Sequence, residues 1–510
     1  MKSKQSYASN LAYLLKGICH VPSALDTSVS GLRVDSRLVQ KGDLFLALSG
    51  CRSKSTDHIV EAIERGANAI VAEGGLFDGR VFEDGTAVEL FVDDLKHKAG
   101  TIADRFFCSP SHDMCVIGVT GTNGKTSVAS YLADYFSLGG VKSGLIGTLG
   151  YGLVGLEDSR FTPTDHTTPN VVEVHRFLAT LRDCGAEVVV MEVSSHGLSQ
   201  GRVDGVAFDG AVFTNLTRDH LDYHGTMAAY GECKRTLFKT PQLKFAVINN
   251  DDIYAAEIKS VINSEVNVVT YGIDVPADIY ATKSKYNTKS ISSTVVTSKQ
   301  ELSIKSTLLG RFNLSNLLAV IAVASAKNDL SRCQDRVKNI SAVKGRMEVL
   351  RENGKPLVVI DYAHTPDALK SVLVALKSHC EGRIFLVFGC GGDRDQGKRP
   401  EMAEVAEAFA NEIWVTNDNP RNEDPVAITN DILAGFSASD SINVEHDRKK
   451  AIECALSLSN ENDLVLIAGK GHETWQEING KRHFFSDIEE VRRHFDLCPP
   501  LTPSEEVVHD

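Results

Sequence analysis

Apolar residues along this chain come in short unbroken runs bounded by turn residues, the pattern of strands covered on both faces. The first clear run is MCVIGVT at 114–120, which follows a Ser-Pro-Ser-His stretch. Similar runs recur at 186–193, 208–214 and 245–249 with helical stretches between them, so this region predicts βαβ units on a parallel sheet. It closes on a helix over 313–327, where Leu314, Leu317, Leu318 and Ile321 recur at helical spacing. After VKGRM at 343–347 the alternation begins again. Strands are expected at 357–360, 384–388, 413–415 and 464–467, and helices from Pro366, Pro400, Asp424 and His446, which makes a second doubly wound sheet. Between 30 and 107 the chain reads as short strands and turns with one good helix, 55–65, and then a strand within GANAIVAE, 66–73.

The fold class expected is α/β in three domains: 1–108, an α/β binding domain; 109–343, a central parallel-sheet domain; and 344–510, a Rossmann-like domain. A length of 510 residues suits three cores at about 150 residues each. Hydrophobic residues at 42% and charged residues at 24% fit a globular, soluble chain. No apolar run is long enough for a membrane span, and the N-terminus lacks a secretory core, so the expected compartment is the cytoplasm. Lys plus Arg number 54 against 67 Asp plus Glu, a net charge of -13 that disfavours a nucleic-acid partner. The 11 cysteines are scattered with no CxxC pair, so free thiols are expected, and packing is favoured over a metal role for Cys233 and Cys390.

The segment GVTGTNGKTS, 118–127, follows a strand and opens a helix expected over 127–136. Glycines let backbone N–H groups turn toward phosphates, and the helix N-terminus adds positive potential. Gly121, Thr122, Asn123 and Gly124 would form the cradle, Lys125 would reach the β- and γ-phosphates, and Thr126 would ligate Mg²⁺. A strict GxxxxGK[ST] match fails, because Val119 stands where the first Gly belongs. A Gly-rich turn with no ligand is the competing reading.

That loop, with MEVSSH at 191–196, TNLTRDHLDYHG at 214–225 and DYAHTP at 361–366, resembles the Mur ligase family, cytoplasmic enzymes of peptidoglycan precursor synthesis. The resemblance runs from about residue 30 to 490, with motifs in family order. It implies an ATP-dependent ligase that activates a carboxylate as an acyl phosphate and joins it to an amine. Both partners in phosphoryl transfer are anions, so charge must be neutralised by Mg²⁺ and lysine. Glu192 and His220, each just past a strand, match family Mg²⁺ ligands, and Lys234 matches a lysine that takes up CO2 as a carbamate and so becomes a metal ligand. By composition alone Lys234 would be a solvated surface lysine.

The resemblance also assigns ligands to each region. DSRLVQKGDLFLALSG, 35–50, is similar to the stretch that holds a uridine nucleotide, which points to Val34, Ser36, Cys51, Arg52 and Ser53. His166, Thr167, Thr168, Ser194, Gln200 and Arg202 match positions for the UDP-N-acetylmuramoyl dipeptide, and Arg202 suits a carboxylate or phosphate. Asn313, Asn316, Arg346 and Asp361 match adenosine contacts, with a hinge expected near 342–345 and closure around ATP. GGDRDQGKRP at 391–400, DNPR at 418–421 and GKGHE at 469–473 resemble the diaminopimelate-adding branch. Meso-diaminopimelate carries a second amino-acid head that lysine lacks. Arg394 and Arg421 fit its carboxylate, Glu473 and the Gly469 carbonyl fit its ammonium, and Asp418, Asn419 and Pro420 complete the set. Unpaired arginines would give a selectivity on the order of 10³ against lysine. Arg421 bracing the turn after Pro420 is the alternative.

A monomer with small-molecule partners is expected. Three rivals remain: a sister ligase for another amino acid, which Arg421 opposes; a folylpolyglutamate synthetase, which would not need the N-terminal domain; and a nucleotide-gated scaffold without turnover, against which Glu192, His220 and Lys234 stand.

Overall fold

The computed structural model describes residues 7–48, 55–74, 80–81, 87–155, 161–287 and 289–497. These fall into two compact units. The first holds the described residues within Met1–Thr282, Val295–Leu302 and Ser315–Ile340, and the second those within Lys283–Thr294, Ser303–Leu314 and Ser341–Asp510.

Two large sheets and a two-stranded one, Ser9–Asn10 with Ser28–Val29, lie in the described residues of the first unit. The N-terminal sheet runs in the order Gly31–Arg33, Asp43–Ala47, Ala69–Glu73, Val88–Val92, Arg80–Val81, parallel except for its last pair. Its helices are Ser55–Glu64 and Leu95–Phe106. The second helix is absent from the sequence expectation of one helix. Its buried face is Leu95, Ala99, Gly100, Ile102, Ala103 and Phe106, three large apolar residues and three small ones.

Within the first unit the central sheet runs Gly150–Leu153, Ser143–Gly147, Val188–Glu192, Cys115–Thr120, Gly210–Phe213, Phe245–Asn249, Asn267–Gly272. All its pairs are parallel except the first. The Val and Ile runs are buried throughout, as expected for strands covered by helices on both faces. From Cys115–Thr120 the chain crosses to one side for Val188–Glu192 and then to the other for Gly210–Phe213, so a crevice opens at the carboxyl end of Cys115–Thr120. Register keeps the three ends level: Glu192 sits opposite Val119, and Phe213 opposite Thr120. Strands Ile279–Asn287, Ser290–Val296 and Glu301–Ser306 then precede the helix Arg311–Ala326.

The second unit carries a sheet ordered Glu348–Leu350, Leu357–Asp361, Leu464–Ala468, Ile384–Phe388, Glu412–Val415, Asn443–Val444. Only its first pair is antiparallel. Helices Pro366–Lys377, Lys398–Phe409, Pro425–Leu433 and Arg448–Leu458 begin within two residues of the expected Pro366, Pro400, Asp424 and His446, with Asp424 and Asp447 capping the last two. A hairpin, Trp475–Ile478 with Lys481–Phe484, was not expected. Its residues are half-buried or exposed throughout and show no alternation. Among the described residues no helix is long and apolar enough to cross a membrane.

Candidate functional site

The phosphate loop connects Cys115–Thr120 to the helix Lys125–Leu138. Gly121 (φ 151°) and Gly124 (φ 83°) take backbone conformations that side chains disfavour, and a Cβ on Gly121 would fall 1.9 Å from Thr214 Oγ1. The loop is fixed from the neighbouring strand end. Asn123 N donates to Asn215 Oδ1 at 2.9 Å, and Thr214 Oγ1 donates to the Asn123 carbonyl at 2.6 Å. No side chain caps the helix N-terminus, which leaves its N–H groups to a ligand.

Two lysines meet here. Lys125 Nζ donates to the carbonyls of Gly121 and Thr122 at 3.0 and 2.8 Å, and Lys234 Nζ donates to the same Gly121 carbonyl at 2.9 Å. Lys234 is therefore not the solvated lysine that composition suggests: it is 1% exposed. Its ammonium lies 4.3 Å from the Tyr230 ring centroid, one helical turn back. Burial, reinforced by the Lys125 charge, pushes the Lys234 ammonium well below its ordinary value.

Glu192 ends its strand buried. Thr126 Oγ1 donates to Glu192 Oε2 at 2.7 Å, and Thr148 N donates to Oε1 at 2.8 Å. Among the described residues Glu192 joins no ion pair. His220 is exposed and left-handed (φ 52°). Its ring lies 4.9 Å from His196 and 6.2 Å from Tyr230, so His220 and Lys234 flank the same tyrosine. The Thr126 and Glu192 oxygens are hard donors that suit Mg²⁺. Lys234 as an ammonium does not suit a cation, and no group of three or more His, Cys, Asp or Glu among the described residues is placed to hold a metal.

Next to Glu192 lie most of the residues expected for the dipeptide. Thr168 Oγ1 donates to the Glu192 carbonyl at 2.9 Å and accepts from Ser194 N at 2.9 Å. Thr148 Oγ1 donates to Thr167 Oγ1 at 3.1 Å. Arg202 Nη1 donates to the Thr168 carbonyl at 2.7 Å, and Nε donates to Gln200 Oε1 at 2.9 Å. No described carboxylate pairs with Arg202. His166 is exposed on the same loop, where its carbonyl accepts from Thr164 Oγ1 at 3.2 Å.

Ser36 is buried and donates to Glu61 Oε2 at 2.6 Å, and Val34 packs partly buried against the N-terminal core. Cys51, Arg52 and Ser53 lie outside the described residues. Asn316, in the first unit, reaches the phosphate loop: a Cβ on Gly124 would lie 2.9 Å from its Oδ1.

In the second unit Asn313 Nδ2 donates to the Leu309 carbonyl at 2.8 Å. Buried Asp361 accepts from Met347 N and Ala363 N at 2.7 and 2.8 Å, and burial raises its carboxyl. The Arg346 guanidinium lies 4.5 Å from the Tyr362 ring centroid. The segments 391–394, 418–421 and 469–473 all follow strand carboxyl ends, and a Cβ on Gly391 would lie 2.8 Å from Arg421 Nη1 and 3.7 Å from Arg394 Cγ. Arg421 Nη1 donates to the Gly392 carbonyl at 2.7 Å, so Arg421 does brace a turn. Buried Lys470 donates to Glu473 Oε2 at 2.9 Å, as does Asn419 Nδ2. Asp418 is buried with Oδ2 lacking a hydrogen bond.

Sequence reasoning missed Thr148, Tyr230, Asn215 and Lys470. Tyr230, four residues before Lys234 on one helix face, was the accessible signal. The nine described cysteines are free. Cys390 is packed against Met402, and burial pushes its thiol up to about 12.

The Mur ligase middle domain model matches residues 119–324, and the Mur ligase, glutamate ligase domain, model matches 345–471. A Xylella fastidiosa protein named UDP-N-acetylmuramoyl-L-alanyl-D-glutamate–2,6-diaminopimelate ligase is 46% identical over 95% of this chain and 96% of its own. A Pseudomonas aeruginosa protein of the same name is 46% identical over 92% and 95%. A solved structure of a ligase with that name superposes with a TM-score of 0.68 at 38% identity, covering 92% of this chain and 95% of that one.

Proposed function

From the premise that this chain belongs to the Mur ligase family, we propose that it adds meso-2,6-diaminopimelate to UDP-N-acetylmuramoyl-L-alanyl-D-glutamate at the expense of ATP, in peptidoglycan biosynthesis. On this reading it works as a monomer in the cytoplasm. The observation that carries this reading is the convergence of Lys125 and Lys234 on one carbonyl, beside a buried Glu192 without a cationic partner. Glu192 so placed suits a cation entering the site.

The substrate carboxylate attacks the γ-phosphorus, the bond to the β-phosphate oxygen breaks, and ADP leaves. The amine nitrogen then attacks the acyl carbon, phosphate leaves, and the nitrogen gives up a proton. Lys125 and the loop N–H groups hold the phosphates in line. Arg202, held flat by Gln200 and Thr168, grips the dipeptide, with His166, Thr167 and Ser194 beside it. Val34, Ser36 and the 51–53 segment take the uridine end, and Asn313, Asn316, Arg346 and Asp361 take the adenosine. Arg394 and Arg421 receive the distal carboxylate of diaminopimelate, Glu473 and the Gly469 carbonyl its ammonium, and 418–420 line the site.

Thr126, Glu192, His220 and Lys234 would hold Mg²⁺, which when bound neutralises charge on the phosphates. Lys234 enters this set as a carbamate: its neutral amine attacks CO2, an N–C bond forms and a proton leaves, so a cation becomes an anion. The lowered value of its ammonium supports that step. Domains 1–108, 109–343 and 344–510 divide the work into nucleotide-sugar binding, phosphoryl transfer and amine selection.

The test is ADP formation with ATP, Mg²⁺ and the dipeptide nucleotide against a panel of amines. Sustained ADP release beyond a single turnover should require an amine, and should run far faster with meso-diaminopimelate than with lysine. Equal rates with lysine would remove the specificity, and sustained ADP formation independent of the amine would remove the ligase reading.

A further inference from the structure

The loops carrying Arg394 and Arg421 are tied together largely by groups to which no substrate contact is assigned. Arg399, on the helix Lys398–Phe409, is completely buried. Its Nη1 and Nη2 donate to Glu423 Oε1 and Oε2 at 2.6 and 2.7 Å, a two-pronged grip, and Nη1 also donates to Asp431 Oδ2 at 2.8 Å. Nη2 reaches back to the Gly391 carbonyl at 3.4 Å. Glu423 in turn accepts from Asp393 N at 3.0 Å and from Gln396 Nε2 at 3.4 Å, both on the arginine-bearing 391–396 loop. Asp393 Oδ2 accepts from Asn422 Nδ2 at 3.0 Å, and Gly392 N donates to the Asn419 carbonyl at 2.9 Å.

Two backbone positions in these loops are strained. Asp393 (φ 53°) and Arg421 (φ 55°) are left-handed although both carry side chains. Such residues persist where the surroundings over-determine them. The Arg399–Glu423 grip reaches both: Glu423 accepts from the Asp393 amide, and it lies two residues past Arg421. Fully buried Arg399 demands a fixed partner, and the partly exposed Glu423 that meets it is thereby held in place. Arg399 also holds the Glu423 carboxyl down to about 2, so the pair stays charged across the working range.

We propose that Glu423, gripped by Arg399, is the positioning residue that sets the spacing of Arg394 and Arg421, and with it the preference for a diamino diacid over lysine; this rests on the amine-site reading above. Lysine makes no contact with a carboxylate-binding arginine pair, so loosening that pair weakens the diacid and leaves lysine unchanged.

The experiment compares Glu423→Gln with Arg421→Ala in the full-length enzyme, measuring kcat and KM for meso-diaminopimelate, lysine, ATP and the dipeptide nucleotide. For Glu423→Gln, KM for meso-diaminopimelate should rise about tenfold or more, with kcat and the other KM values within about threefold, and the preference over lysine should fall in proportion. Arg399→Lys, which keeps the charge but loses the fork, should behave like Glu423→Gln. If Arg421→Ala raises that KM and Glu423→Gln does not, the inference is wrong and the amine site stands. If neither raises it, the amine-site reading itself fails. A loss shared equally by all substrates would mark a merely structural role and overturn the inference. Should Glu423→Gln fail to fold, Asp393→Asn on the exposed loop carries the test, with an expected rise of about threefold confined to the same KM; no rise would overturn the inference.

Discussion

Around the phosphate loop two lysines share the Gly121 carbonyl, one of them with its ammonium pushed well below the ordinary value, and Glu192 is held by hydroxyls and an amide instead of a cation. In the loops of the second unit the opposite holds. Arg399 is matched by Glu423 and Asp431, Lys470 by Glu473, and Arg448 by Asp487. A site left out of balance supplies differential stabilisation when phosphoryl charge moves, whereas a balanced one supplies shape. On the proposed reading the first region serves the chemical step and the second the choice of the amine.

Lys125→Ala should break the comparison most severely, lowering kcat about 10³-fold or more because the developing phosphoryl charge loses its fixed partner. Steady-state ADP release checks it, and half-normal turnover would mean the imbalance is incidental. Asp487→Ala should act on stability alone. It strands the fully buried Arg448 and should cost about 3–5 kcal/mol, read as a lower denaturation midpoint, with substrate KM values unchanged in the folded protein. Arg421→Ala should raise KM for the amine about 10- to 100-fold while leaving KM for ATP alone, the size of a lost charged hydrogen bond.

The smallest effect concerns pH. Because the Lys234 value is lowered, its neutral amine, the form that captures CO2, is present where an ordinary lysine is still protonated. Turnover in bicarbonate-free buffer should therefore recover on adding bicarbonate, and recover more fully as pH rises through that lowered value. A pH–rate profile with and without bicarbonate checks this, and Lys234→Arg should show no recovery. The same shift means the unfolded chain binds an extra proton between the lowered value and the ordinary one near ~10.4, so the lysine's contribution makes stability rise with pH in that window.

What could be read from the sequence was local. The phosphate loop announces itself because strand, glycines, lysine and helix are contiguous, and the strands of both large sheets because parallel strands are unbroken apolar runs. The burial of Lys234 was not legible, since the Gly121 carbonyl that receives it lies 113 residues away. Thr148 was invisible as a partner of Glu192 for the same reason, with 44 residues between them. Half of the buried face of the Leu95–Phe106 helix is Ala and Gly, and the Trp475–Phe484 hairpin hid behind positions that are half-buried or exposed throughout. Arg399 and Glu423 were not singled out, because no periodicity encodes a pair 24 residues apart.

The most direct measurement uses dipeptide nucleotide carrying ¹⁸O in the reacting carboxylate, with mass analysis of the phosphate released. If the carboxylate attacks the γ-phosphorus, one labelled oxygen passes into the phosphate at each turnover. Unlabelled phosphate alongside normal product would contradict phosphoryl transfer to the carboxylate, and with it the role of the two lysines.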